Sequence, residues 1–132
     1  MCVYNHNFFV IDHEPTGPGY RITVPGKLLS AQGAKGLGDI VELEGNTIRF
    51  LRGLAHGEQA YFADLAAGQP VDYDIDVRNV KSGAGARIIG DRPIAKMVFW
   101  SSPTTVCPEP YIDIRVMPGQ TFSWTITYHY YH

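Results

Sequence analysis

The sequence lacks the features that would assign it to several well-known classes of protein. It has two cysteines, Cys2 and Cys107, which are too few for a disulfide framework and too far apart for a C-x-x-C metal pair. No apolar run approaches the roughly 18 residues of a membrane span. The N-terminus also lacks the basic and apolar regions of a signal peptide. We therefore expect a cytoplasmic protein with reduced thiols and no membrane contact, although one Cys2–Cys107 bridge stays open.

Charge of one sign is also missing. The chain has 11 basic and 13 acidic residues, a formal net charge of −2, and no basic patch, so we expect no nucleic-acid partner. Its five histidines show neither H-x-H nor H-E-x-x-H spacing. The Gly-rich stretch at residues 33–38 lacks the strand-then-helix context of a phosphate-binding loop, so we interpret it as a surface loop. The sequence therefore predicts no metal and no cofactor.

What is present is typical of a small globular β protein. A length of 132 residues with 45% hydrophobic side chains fits one domain, residues 1–132, with an ordinary core. The 14 glycines and 9 prolines indicate many turns. One such turn is predicted at residues 25–26 and another, of hairpin type, at residues 44–46.

Period-two alternation is the main secondary-structure signal. Residues 71–77 alternate apolar and acidic side chains, which predicts a half-buried strand with its acids, Asp72, Asp74 and Asp76, on the solvated face. A helix at residues 57–67 is the one helical option, and a loop there is equally possible. The pattern favours an antiparallel sandwich or barrel. Further strands are predicted at residues 20–24, 40–43, 47–51, 87–89, 94–100, 111–116 and 120–128.

A histidine with chemical potential lies near the N-terminus, at residues 4–9 (YNHNFF). His6 lies between two amides, Asn5 and Asn7, and precedes two aromatic side chains. On a regular strand the two amides share one face and His6 takes the other. The residues alone also allow a solvated terminal segment with no role.

An acid with restricted backbone freedom lies at residues 106–111 (VCPEPY). Glu109 stands between Pro108 and Pro110. Each proline fixes its own φ and biases the residue before it toward an extended conformation, so Glu109 is predicted to be non-helical and rigid. A surface turn acid is the plain alternative.

Together these segments resemble the galactose mutarotase (aldose 1-epimerase) superfamily. In that family a histidine motif comes first and a C-x-E-P-aromatic motif carries a later glutamate. The resemblance covers most of this chain but only the C-terminal half of a typical member, and the family's earlier histidine and arginine have no counterpart. It implies an antiparallel β-sandwich, of which this chain forms half. The stretches that carry the resemblance are residues 5–9, 11–13, 17–20, 99–100, 107–111, 118–119 and 122–131.

The resemblance implies an isomerase that interconverts sugar anomers. Ring opening needs a base for the anomeric hydroxyl and an acid for the ring oxygen. In the family these are the glutamate and the histidine, which correspond to Glu109 and His6, and opposite sides of the ring suit the two groups. Among nearby amides and aromatic side chains, Asn7, Trp100 and Tyr111 are the predicted sugar-binding residues. Asn5 and Phe9 are further candidates from their position alone.

Other functions stay open. The chain also fits a non-catalytic carbohydrate-binding or accessory subunit, an isomerase or lyase that uses the His/Glu pair on a non-sugar substrate, or an unrelated β-sandwich. A half-sandwich would leave an apolar face uncovered and strand edges unpaired. We therefore expect a homodimer or pairing with another subunit, in addition to a small sugar or sugar derivative as ligand.

Overall fold

The chain folds into strands that form two antiparallel sheets. A computed structural model describes residues 1–24 and 29–132, so the turn predicted at residues 25–26 lies outside the described residues. No helix occurs among the described residues, and the all-β fold class is confirmed. The described strands, numbered in chain order, are β1 (Cys2–Tyr4), β2 (Tyr20–Thr23), β3 (Val41–Glu44), β4 (Thr47–Phe50), β5 (Ala60–Phe62), β6 (Asp74–Asn79), β7 (Gly85–Gly90), β8 (Lys96–Ser102), β9 (Thr105–Asp113) and β10 (Ile126–Tyr131).

One sheet has four strands in the order β1-β9-β8-β5, and the other has six in the order β10-β7-β6-β2-β4-β3. Strand β6 illustrates the pattern that builds them. Ile75 and Val77 are buried, while Asp74 and Asp76 alternate with them on the outer face of the six-stranded sheet. The alternation predicted residues 74–77 of this strand correctly, whereas residues 71–73, Asp72 among them, lie before its start.

The two sheets pack face to face over a shared hydrophobic core. Phe99 on β8 lies 6.3 Å from Phe50 on β4, measured between ring centroids. Buried side chains of both sheets belong to the same cluster. The chain therefore builds both layers of a β-sandwich itself. Because the apolar faces that line the core cover each other, the argument for a dimer from an uncovered face no longer applies.

Local chemistry explains two of the connections. The hairpin at residues 44–46 is confirmed between β3 and β4, where Gly45 has a φ of 62°, a left-handed value that glycine adopts without strain. The helical option at residues 57–67 is wrong. Buried Ala60 and Phe62 alternate with Tyr61 there, which is a strand period, and they form β5 beside β8.

The last strand begins later than the aromatic pattern indicates. Residues 120–125 lie outside β10, where Asp91 and Thr125 exchange hydrogen bonds and Arg92 covers the ring of Phe122 at 4.9 Å. Strand β10 then pairs with β7 along its whole length. Of the strand predicted at residues 111–116, only residues 111–113 are extended, as the end of β9, which starts at Thr105 and includes both prolines of the VCPEPY segment.

Candidate functional site

Pro108 and Pro110 shape the site by interrupting the pairing between β9 and the N-terminal segment. The carbonyl oxygens of these prolines point toward that segment, where they accept hydrogen bonds from Asn7 Nδ2 at 3.1 Å and from the backbone nitrogen of Asn5 at 3.4 Å. Proline has no N–H to return a bond on that side. Regular pairing of β1 with β9 therefore ends at Tyr4, and the segment that follows is held by individual contacts.

Glu109 meets His6 on the outer face of the four-stranded sheet. The register places Glu109 opposite Val98, and the core residue Phe99 opposite Pro108. Glu109 therefore faces away from the core, as alternation along a strand requires. Its Oε1 lies 3.1 Å from Nε2 of His6. The prediction that the two prolines hold Glu109 in an extended conformation is confirmed.

Glu109 is buried although it faces outward. The residue is 8% exposed, whereas the His6 side chain is 35% exposed. The interpretation of Glu109 as a surface turn acid is therefore wrong. Loss of water raises the pKa of the Glu109 carboxyl above its ordinary value, and the neighbouring His6 partly opposes this shift. A carboxyl whose pKa is raised is a stronger proton acceptor than an ordinary one.

Aromatic rings flank the acid–imidazole pair. Phe8 stacks on His6 with ring centroids 4.1 Å apart, and Trp100 presents its ring at 67° to His6 from 6.2 Å. On the other side, Tyr4 stacks on Tyr111 at 4.5 Å. Such rings offer apolar faces that can pack against C–H groups of a ligand. The structure thus brings the predicted residues His6, Glu109, Trp100 and Tyr111 to one face.

Asn7 is not brought to this face. Its amide donates to the Pro108 carbonyl, and its Oδ1 accepts a hydrogen bond of 2.7 Å from the hydroxyl of Tyr128 on β10. Asn5 Nδ2 donates to the same Tyr128 hydroxyl at 3.3 Å. Both amides therefore tie the N-terminal segment to the six-stranded sheet. Phe9 also lies on the inner side, where it pairs with Val106 and packs on the core.

The pair is closer than expected from a two-sided mechanism. With 3.1 Å between His6 and Glu109, a sugar ring cannot lie between the two groups in this conformation. Both groups instead face one side of any ligand placed on the sheet. This geometry suits proton transfers to and from two neighbouring atoms of a substrate, such as two oxygens bonded to the same carbon.

Tyr4, Phe8 and Lys96 are among the residues of this face that sequence reasoning missed. Tyr4, the last residue of β1, and Phe8, in the segment that follows, share the parity of His6, so a period-two signal was present. Lys96 is paired with Tyr111 across β8 and β9, and its Nζ lies 5.4 Å from the centroid of the Tyr111 ring. Strands β8 and β9 follow each other directly, but the register that brings Lys96 opposite Tyr111 is not readable from either strand alone.

Among the described residues, neither metal ligands nor thiols add a reactive group to this pair, although Cys107 lies on the same face, opposite Trp100. In residues 1–24 and 29–132, no cluster of three or more His, Cys, Asp or Glu side chains is placed to hold a metal ion. Cys2 is exposed, Cys107 is buried, and both are free. Burial raises the pKa of the Cys107 thiol to about 11, which leaves it in the unreactive thiol form at neutral pH.

Comparison with known proteins adds no relative. No protein-family model, curated protein or solved structure matches the chain. Among the described residues, no helix has the length and apolar character needed to cross a membrane. The class of the protein is therefore defined by its fold alone, which is an antiparallel β-sandwich. The chemistry of the site is inferred from the distances and burial of its side chains.

Proposed function

We propose that the protein binds a small sugar on the outer face of its four-stranded sheet and interconverts the sugar's anomers. The observation that carries this proposal is the contact of 3.1 Å between Nε2 of partly exposed His6 and Oε1 of buried Glu109, amid aromatic rings. A base and an acid side by side on an accessible surface are the minimum that mutarotation requires.

The reaction uses the two groups together. Glu109 accepts the proton of the anomeric hydroxyl, while His6 in its protonated form donates a proton to the ring oxygen. The ring C–O bond breaks, and the electrons of the O–H bond form the carbonyl of the open chain. After rotation about the neighbouring C–C bond, the reverse transfers close the ring on the other face of the carbonyl. Because both oxygens are bonded to the anomeric carbon, groups in direct contact can serve both from one side.

Binding depends on the rings around the pair. Trp100 and Tyr111 lie on either side of Glu109 and present apolar surface to a sugar ring. Tyr4 and Phe8 extend this surface and are 48% and 65% exposed. Aromatic rings of this kind offer apolar faces that can pack against the C–H faces of a sugar ring.

Anomer exchange measured by saturation-transfer NMR tests the proposal. A panel of aldoses and their phosphates is assayed with three proteins: the wild type, Glu109→Gln, and the matched control Glu44→Gln on the other sheet. We expect exchange above the buffer rate, a loss of about 10²- to 10⁴-fold in Glu109→Gln, and no change in Glu44→Gln. The proposal is contradicted if no sugar shows accelerated exchange, or if Glu109→Gln matches the wild type.

A second candidate is a non-catalytic carbohydrate-binding protein. It is favoured by the exposure of Tyr4 and Phe8, which extends the aromatic surface beyond the reach of the acid–imidazole pair. This function predicts that a sugar perturbs the Trp100 indole NMR signal equally in the wild type and in Glu109→Gln. It also predicts that neither protein accelerates anomer exchange.

We further propose a cytoplasmic location. Exposed Cys2 and buried Cys107 are both free thiols, a state that a reducing compartment preserves. Thiol titration of the unfolded protein, isolated without reductant, is expected to find two thiols per chain. A value near zero would contradict this location.

A further inference from the structure

One cation lies beside the acid–imidazole pair. On β8, Lys96 is two residues from Val98, the residue paired with Glu109. Two residues of a strand span about 7 Å, which is comparable with the width of a hexose ring and its substituent. The Nζ atom of Lys96 rests 5.4 Å from the centroid of the Tyr111 ring, at the edge of the same aromatic surface.

This cation keeps no carboxylate partner within the described part of the chain. No ion pair joins Lys96 to an acid in residues 1–24 or 29–132. The next acid along β9, Asp113, is paired instead with Arg115 at 3.6 Å. Glu109 is engaged by His6. The ammonium of Lys96 is therefore exposed and available to an anionic group that lies across the sheet.

The opposite end of the face differs in chemistry. Trp100 and Phe8 lie beyond the pair, away from Lys96, and offer apolar rings. A ligand that fits both ends has a ring with C–H surface and a negative charge on one side. A neutral sugar would leave the charged end without a partner.

We propose that Lys96 selects sugars that carry an anionic substituent, a phosphate or a carboxylate, placed across the ring from the anomeric carbon. This inference rests on the proposed binding of a sugar at this face, but not on catalysis. The aromatic rings hold the sugar ring, and the ammonium of Lys96 contacts the anion. The anion thereby fixes which ring carbon lies over Glu109 and His6.

Affinity measured by NMR titration tests this proposal with three probes: an aldohexose, its 6-phosphate, and the corresponding hexuronic acid. The proteins are the wild type, Lys96→Gln, and the control Lys81→Gln, whose ammonium lies 3.9 Å from Glu14 on another part of the surface. We expect the wild type and Lys81→Gln to prefer one or both anionic sugars by about tenfold. In Lys96→Gln the preference should fall to within about twofold, with unchanged affinity for the neutral sugar.

The outcomes separate this inference from the proposed function. Preference for the phosphate identifies a sugar phosphate as the ligand class, and preference for the uronic acid identifies a carboxylate. Equal affinity for neutral and anionic sugars in the wild type overturns the role of Lys96 while sugar binding stands. A preference that survives in Lys96→Gln overturns it as well. Absence of binding by all three probes overturns sugar binding itself.

Discussion

The outer faces of the two sheets are built from the same alternating pattern but hold their charges in opposite ways. On the six-stranded sheet, Arg87 binds Asp74 through two hydrogen bonds of 2.8 and 2.7 Å, and Arg49 pairs with Glu42. On the four-stranded sheet, Glu109 is paired with no arginine among the described residues and lies buried beside aromatic rings. One face pairs its carboxylates in water, and the other removes a carboxylate from water.

The difference appears in the proton affinities. The hydrogen bonds from Arg87 hold the pKa of Asp74 below its ordinary value, whereas burial holds the pKa of Glu109 above it. A lowered pKa stabilises the fold at neutral pH, and a raised one has a cost there. A carboxyl with a raised pKa, whose ionised form costs stability at neutral pH, is typical of sites that transfer protons. This contrast supports our proposal that the four-stranded face, and not the six-stranded one, is the functional face.

The largest expected difference between the faces concerns their histidines. His6 lies against Glu109, while His129 on β10 is paired with Arg87 on the other sheet. Because His6 is the proposed proton donor to the ring oxygen, His6→Ala should lower the rate of anomer exchange by about 10²- to 10⁴-fold. His129→Ala should keep the wild-type rate in the same NMR assay. Equal rates in the two variants would remove the distinction between the faces.

Asn7 marks the boundary of the site, and its loss should affect stability. Asn7→Ala removes the hydrogen bonds with the Pro108 carbonyl and the Tyr128 hydroxyl, so we expect a loss of about 1–3 kcal/mol in the free energy of unfolding. Tyr128→Phe removes one of these bonds and should cost less. Urea unfolding measures both values. A stable Asn7→Ala protein with weakened sugar affinity would place Asn7 in the binding site instead.

Trp100 and Trp124 offer a matched pair of indoles. Trp100 lies beside His6, whereas Trp124 is 39% exposed in the loop before β10. Trp100→Ala should weaken sugar binding by about 0.5–1.5 kcal/mol, or roughly two- to tenfold in Kd. Trp124→Ala should leave the Kd unchanged in NMR titration. Binding that depends on Trp124 and not on Trp100 would move the sugar to another surface.

The smallest expected effects have opposite dependence on pH. Asp74 has a lowered pKa, so its ion pair stabilises the fold above the ordinary value of 3.8 and is lost as pH falls through the lowered pKa. Asp74→Asn should therefore cost up to about 1 kcal/mol at pH 7 and little at low pH. Glu109 has a raised pKa, so its ionisation destabilises the fold as pH rises through that value.

Urea unfolding of Asp74→Asn and Glu109→Gln, measured from low pH to pH 7, checks the signs of the two pH dependences. Glu109→Gln should gain stability relative to the wild type as pH rises, because the amide never bears the buried charge. Asp74→Asn should lose stability relative to the wild type over the same change. If the two variants follow the same trend, Glu109 is solvated in the folded protein and the proposed contrast fails.

The sequence contained much of the fold because alternation is a local property. The acids of β6 and the glycine turn between β3 and β4 could be placed from neighbouring residues alone. The strand β5 was hidden because alanine, glutamate and glutamine around it tolerate a helix, and only its pairing with β8 selects the extended form. The start of β9 was hidden because Pro108 and Pro110 argue against a strand in the interior of a sheet.

The acid and the imidazole of the candidate site were predictable from the sequence, but their geometry was not. The position of Glu109 between prolines and the parity of His6 were both readable. The burial of Glu109 was not readable, because it depends on rings from two segments that are far apart in the chain. Phe8 in the N-terminal segment and Trp100 on β8 are about 100 positions apart. The direct contact of His6 with Glu109 likewise follows from tertiary packing.

A double-mutant cycle on anomer exchange tests the central claim, that His6 and Glu109 act as one acid–base pair. Rates would be measured for the wild type, His6→Ala, Glu109→Gln and the double variant with the sugar that exchanges fastest. Residues that act as a unit are strongly non-additive. The account predicts that the double variant is about as slow as the slower single variant. Losses that multiply, or a single variant that keeps the wild-type rate, would contradict it.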